Sequence, residues 1–226
     1  MKNVLHLLEA ERETERQFVV EAADESDYPA GWSAALLMAH IASWREQLRG
    51  NLIEASRGER LSAPPTDVDA FNAVELAMSA GVALEAAATR ANALLGDLID
   101  LWATLGDRPF SWYIAKTTGE ALVRNSYAHP RNHLAQHFIE RGDRARGYRI
   151  YEESATALRR AEAPPTTLGT ALYNLACARV GQRQHDEALR LLEEALPMRA
   201  DLQAGAAADL KLAPLRTDPR FERLFR

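Results

Sequence analysis

The stretch Arg124–Asp143, "RNSYAHPRNHLAQHFIERGD", decides how this chain divides. It holds His129, His133 and His137 at four-residue steps; the other histidines are His6, His40 and His185. Residues four apart share a helical face, with Cβ atoms about 5–6 Å from one another, close enough to chelate one ion or merely to line a solvated face. Pro130 stands inside the first pair. A proline there either kinks a helix or begins a new one. If the helix begins there, His129 becomes a cap residue, and His133 and His137 form the i, i+4 pair. The closing "ERGD" reads as a boundary, because the character of the chain changes after Gly142.

Upstream, Ala, Leu, Glu and Arg dominate and β-branched residues are sparse, which favours helix nearly throughout. A first helix is expected over Val4–Ala22, with an imperfect apolar period and a polar middle. "DESDYPAGW" then breaks the chain with turn chemistry. Ser33 is a candidate N-cap for a second helix, "AALLMAHIASWREQLRGNLIEA", on which Leu37, His40, Ile41, Trp44 and Leu48 share one face. "SRGERLSAPPTDVDAF" is a loop. A third helix is expected from Asp67 to Leu105, with an interruption near Gly81, and a fourth from Trp112 to Arg141. Four long helices in series point to an all-α fold, an up-down four-helix bundle over residues 1–142.

The chain has 226 residues, 47% of them apolar, enough for a core. A net charge of −5 leaves no basic footprint for nucleic acid and no polybasic face for a membrane. The single cysteine, Cys177, excludes a disulfide framework and fits a reducing interior. The N-terminus is charged in every turn, unlike a signal peptide. A cytoplasmic location is expected.

Downstream, "TALYNLACARVGQRQHDEALRLLEEALPMRADL" sets small residues at Ala176, Ala188 and Ala195, with Leu175 and Leu192 between them and Pro197 near the end. The pattern resembles a tetratricopeptide repeat, in which small residues let two helices approach closely. "DLKLAPLRTDPRFERLF" resembles the end cap of a short array. Residues 143–226 are therefore expected to form a helical hairpin with an end cap. A lone repeat does not bury its own face, so it is expected to pack on the bundle.

"LLMAHIASWREQL", the linking "DVDAFNA" and "PFSWYIAKTTGEALVRNSYAHPRNH" together resemble the DinB-like four-helix bundle superfamily, with ClbS/DfsB-type proteins as the nearest branch. The resemblance implies a divalent metal, zinc, nickel or iron, held by His40, His129 and His133. It also implies chemistry on a small-molecule substrate: hydrolysis, or S-transfer with a small thiol cosubstrate, against an electrophilic compound, as in detoxification. A homodimer is implied too. Pro130 departs from the family pattern and leaves His137 as an alternative ligand to His129.

Three neutral imidazoles and an open position suit zinc, nickel or iron(II). Each ligating histidine needs an acceptor for its other ring N–H, and Glu46, Glu75, Asp97 and Glu120 are candidates in kind. His137 is expected at the rim or surface. Tyr127 is a candidate catalytic proton or hydrogen-bond donor, and Trp44 and Tyr127 are expected nearest the pocket. Cys177 reads as a structural thiol, and "ERETER" as a solvated face of charge pairs. The alternative function is a non-catalytic binding or scaffold protein, with the repeat-like segment holding a peptide partner. Nucleotide-binding and common hydrolase motifs are missing.

Overall fold

A computed structural model describes residues 3–22 and 32–225. The break at "DESDYPAGW" falls, up to residue 31, outside the described residues. The rest is all-α, apart from one short hairpin. Helix α1 spans Val4–Ala22, α2 Ala34–Ser56, α3 Val68–Met78 and α4 Leu84–Leu105. The hairpin follows, with β1 at Pro109–Trp112 and β2 at Ala115–Thr117. Helix α5 (Thr118–Val123) runs through a π-helical turn, Arg124–Ala128, into α6 (His129–Glu140). Beyond it lie α7 (Arg144–Arg160), α8 (Pro165–Gly181), α9 (His185–Met198) and α10 (Ala200–Ala206). A 3-10 segment at Leu210–Leu215 and α11 (Pro219–Arg223) end the described chain. Among the described residues no helix is long and apolar enough to cross a membrane.

Local chemistry sets the boundaries. Ser33 caps α2 by accepting from the Leu36 amide at 3.2 Å. The expected third helix is two helices, α3 and α4. They part around Gly81, which takes a positive φ of 80° that only glycine adopts without strain. The expected start of the fourth helix at Trp112 is corrected. Pro109–Thr117 is an antiparallel hairpin with Trp112 opposite Ala115, and helix resumes at Thr118. Thr117 accepts from the Glu120 amide at 3.2 Å, the first half of a capping box. The Glu120 carboxylate turns back to the Lys116 amide at 2.8 Å.

"ERETER" is not wholly a solvated face. Glu9–Arg12 and Glu13–Arg16 are exposed i, i+3 pairs, but Glu11 and Glu15 are buried. Glu15 meets the fully buried Arg45 of α2 at 2.6 Å, and Glu11 meets Arg131 of α6 at 2.7 Å. The polar middle of α1 is thus an inward-facing charged stripe. Burial pushes the Glu11 carboxyl upward, and the Arg131 guanidinium beside it pulls it back down.

Helix α2 packs along α4, α1 crosses α4 and α5, α6 lies on α7, and α7 and α9 flank α8. A hydrophobic core runs from Leu8, Leu48 and Leu98 through Tyr127 to Leu158, Leu172 and Leu192. The residues after Gly142 therefore pack on those before it. Ala176, Ala188 and Ala195 are fully buried, and Gly147 brings α7 against the Ala135 carbonyl of α6.

Candidate functional site

Pro130 neither breaks nor starts the helix. A proline at that point has no N–H for the Ser126 carbonyl, four residues back, and its ring would crowd that carbonyl. The π turn widens the helix there, and the His129 amide donates to the Arg124 carbonyl, five residues back. The released Ser126 carbonyl accepts instead from Arg45 Nη2 at 3.4 Å. The Asn125 side chain donates to the Trp44 carbonyl at 3.0 Å. These two contacts fasten the π turn to α2, the helix that carries His40.

The result is a convergence of three rings. His129 Nε2 lies 3.1 Å from His40 Nε2 and 2.9 Å from His133 Nε2. The three residues form a group whose ligand atoms lie within 4.8 Å of one another. A metal bonded at about 2.0–2.1 Å to three nitrogens requires them roughly 2.9–3.4 Å apart, which the two short separations meet. His129 receives the pair-making role left open by the sequence, and His137 does not join the group.

Protons alone do not satisfy this geometry. A ring nitrogen carries either one N–H or one lone pair. His129 Nε2 has two nitrogen neighbours, so at most one of its contacts is a hydrogen bond. Its ring also hydrogen-bonds the Asn125 backbone carbonyl. With Nε2 turned to the other histidines, that bond uses Nδ1–H and leaves a lone pair on Nε2. Burial, then the nearby His133, hold His40 down at about 3. Burial holds His133 at about 4, against an upward pull from Glu140. His129 sits well below its ordinary value for the same reason, helped by His133, His40 and Arg45. The three imidazoles are therefore neutral at pH 7, the state in which they ligate.

Aromatic rings wall the cluster. Trp32 stacks on His133 with centroids 5.5 Å apart and an interplanar angle of 20°, and touches His40 at 4.7 Å. Trp44 stands 6.2 Å from His129 and joins Phe71, Trp112 and Tyr113. A cavity of about 260 Å³ opens beside His133, lined also by Trp32, Leu37, Gln136, His137 and Glu140.

His137 is 3% exposed, not at the surface, and packs edge-on against Phe18 at 4.9 Å. A histidine one turn beyond the pair was expected to rotate outward, but α1 covers that side of α6. Tyr127 is buried as well, yet it lies two residues from His129, about 200° round a regular helix. Arg131 covers its ring at 4.7 Å, and burial pushes its hydroxyl up to about 12. It faces the core between the halves of the chain, away from the imidazoles. His6 is exposed and His185, opening α9, half-buried. Cys177 is half-buried, and burial holds it as a thiol with a pKa near 12.

The carboxylates offered as acceptors are engaged elsewhere. Glu46 pairs with Arg90 and Asp97 with Arg49. Glu75 accepts from Ser43 at 2.6 Å. Glu120 accepts from Lys116 and Thr166. The acceptor beside His129 is a backbone carbonyl, which carries no sequence signature beyond the i, i−4 spacing to Asn125. Comparisons with protein-family models, with curated proteins and with solved structures find no match to this chain.

Proposed function

We propose that this chain is a metal-dependent enzyme of the DinB-like kind, a hydrolase or thiol S-transferase acting on a small electrophilic molecule. In this reading α1, α2, α4 and α5–α6 are the four bundle helices, and α8–α9 is a tetratricopeptide-like hairpin closed by an end cap. One observation carries it: His129 Nε2 lies about 3 Å from two other buried imidazole nitrogens, a grouping that one cation satisfies and protons do not.

Zinc, nickel or iron(II), when bound, supplies a Lewis-acidic centre that acidifies a water or a small thiol held in an open position. The protein's own residues do the rest. His40, His129 and His133 present neutral nitrogens. The Asn125 carbonyl fixes the ring orientation of His129. The buried Trp44 keeps water from one side of the cluster, and Trp32, which lines the cavity beside His133, offers a flat apolar face to a substrate lying there. We read the C-terminal helices as a support for this bundle rather than as a peptide-binding scaffold, because the two share one hydrophobic core.

The test is metal analysis of protein purified without a histidine tag, with turnover of an electrophilic reporter measured with and without glutathione. We expect one equivalent of metal, lost in His40→Ala, and turnover that chelation removes and metal restores. Metal-free protein that gains neither metal nor activity from zinc, nickel or iron(II) would overturn the reading.

A further inference from the structure

A second cavity, of about 200 Å³, lies where the π turn and α6 meet α7 and α8. Its walls include Arg124, His129, Asn132, Thr167, Thr170 and Asn174. This volume lies below the usual range of roughly 300–1,000 Å³ for drug-sized ligands and suits a molecule of several heavy atoms.

Three of its polar groups are uncommitted. Arg124 is half-buried and makes no hydrogen bond or ion pair among the described residues. Glu120 and Asp201 act on it only through space, and Arg199 opposes it. Thr167 is fully buried, and its hydroxyl has no hydrogen-bond partner among the described residues. Asn132 uses its Oδ1 to accept from Tyr151 and Asn174, which leaves its amide N–H groups to the cavity. The other arginine on the wall, Arg131, is held by Glu11 and Thr14. Thr167 and Thr170 also sit in the first two turns of α8, whose N-terminal end is electropositive.

A buried polar group without a partner is costly, and a guanidinium matches a carboxylate through two parallel hydrogen bonds. We propose that this cavity binds a small monocarboxylate bearing a polar substituent. Arg124 grips the carboxylate, and the Asn132 amide reads the substituent. The choice of a singly charged anion over phosphate follows from the charges present. One guanidinium is uncommitted: Arg199 nearby is already spent on Asp201 and Arg131 on Glu11, and the Glu120 carboxylate adds a negative charge close to Arg124, which favours one negative charge over two. The site borders the imidazole cluster, because His129 stands on its wall, but the groups that hold the anion are not members of the cluster, so the metal-free chain is expected to bind it.

Titration of the chelated, isotope-labelled full chain with lactate, followed by amide NMR, tests this. Lactate is expected to shift the amides of Arg124, Thr167 and Asn174 saturably in the millimolar range. The uncharged analogue lactamide and inorganic phosphate are each expected to bind at least tenfold more weakly. Arg124→Gln is expected to weaken lactate at least tenfold, and Arg124→Lys, which keeps the charge but not the fork, to fall between. Arg190→Gln on the exposed face of α9 should leave binding unchanged. Non-saturating shifts, equal binding of lactamide, or binding unaltered in both Arg124 variants would overturn the proposal. Phosphate binding as tightly as lactate would overturn the carboxylate assignment.

Discussion

Arg45 of α2 reaches the Ser126 carbonyl at 3.4 Å, the acceptor that Pro130 leaves unserved. The same guanidinium forms a two-pronged pair with Glu15, at 2.6 and 2.8 Å, with both residues buried. Removing one member of such a pair strands a buried charge, at about 3–5 kcal/mol. Arg45→Met is expected to lose stability of that order in urea unfolding. Arg45→Met combined with Glu15→Leu is expected to recover most of it. Equal losses in the single and double variants would show that the pair is not the source.

The side chain of Asn125 ties the π turn to the Trp44 carbonyl and so sets where His129 stands relative to His40. Asn125→Ala leaves the three imidazoles in place but loosens their spacing. Losses around a ligand set of this kind run to about 10–100-fold in metal affinity. Competition against a chromophoric chelator is expected to show a drop in that range with the helical content unchanged. An unaltered affinity would mean that the backbone alone positions His129.

Acid should weaken the metal-free fold. His40 and His133 titrate near 3 and 4 when folded, against about 6.5 when unfolded. Between those limits the unfolded chain holds more protons, so stability is full above about 6.5 and falls as pH drops toward 3. Each histidine contributes a slope of about 1.4 kcal/mol per pH unit. His133→Asn should flatten the decline between pH 6 and 4 in thermal unfolding. A profile identical to the wild type would contradict the burial of that ring.

Two glycines offer an opposed pair of tests. A Cβ at Gly147 would stand 2.5 Å from the Ala135 carbonyl and from Ile139 Cγ1, so Gly147→Ala must push α7 off α6. Overpacking of this sort costs about 1–3 kcal/mol, more than alanine's helix preference returns. At Gly50, in α2, a Cβ meets nothing within 4 Å, and Gly50→Ala is expected to gain about 0.5–1 kcal/mol. Destabilisation at both sites, or at neither, would refute this account of the α6–α7 contact.

Some of this was legible in the sequence. Helix α2 could be read from Ser33 and the apolar period because capping and amphipathicity are local. His40 and Trp44 on one face could be read for the same reason. The all-α class followed from composition. The hairpin at Pro109–Thr117 escaped because a four-residue strand carries too few alternations to see, although Thr117 and Glu120 already spelled the cap that restarts the helix. The buried Glu11 and Glu15 looked solvated because their partners, Arg131 and Arg45, are far along the chain. The π turn could not be foreseen either. It depends on Arg45 arriving from α2 to serve Ser126, and without it Pro130 left His129 and His137 undecided.

The stack of Trp32 on His133 has a practical consequence. Two of the four tryptophans, Trp32 and Trp44, lie against the imidazole cluster. A paramagnetic ion such as nickel, if bound at that distance, would quench their emission. The chain thus carries a built-in fluorophore at the cluster, so occupancy can be followed in real time without a label.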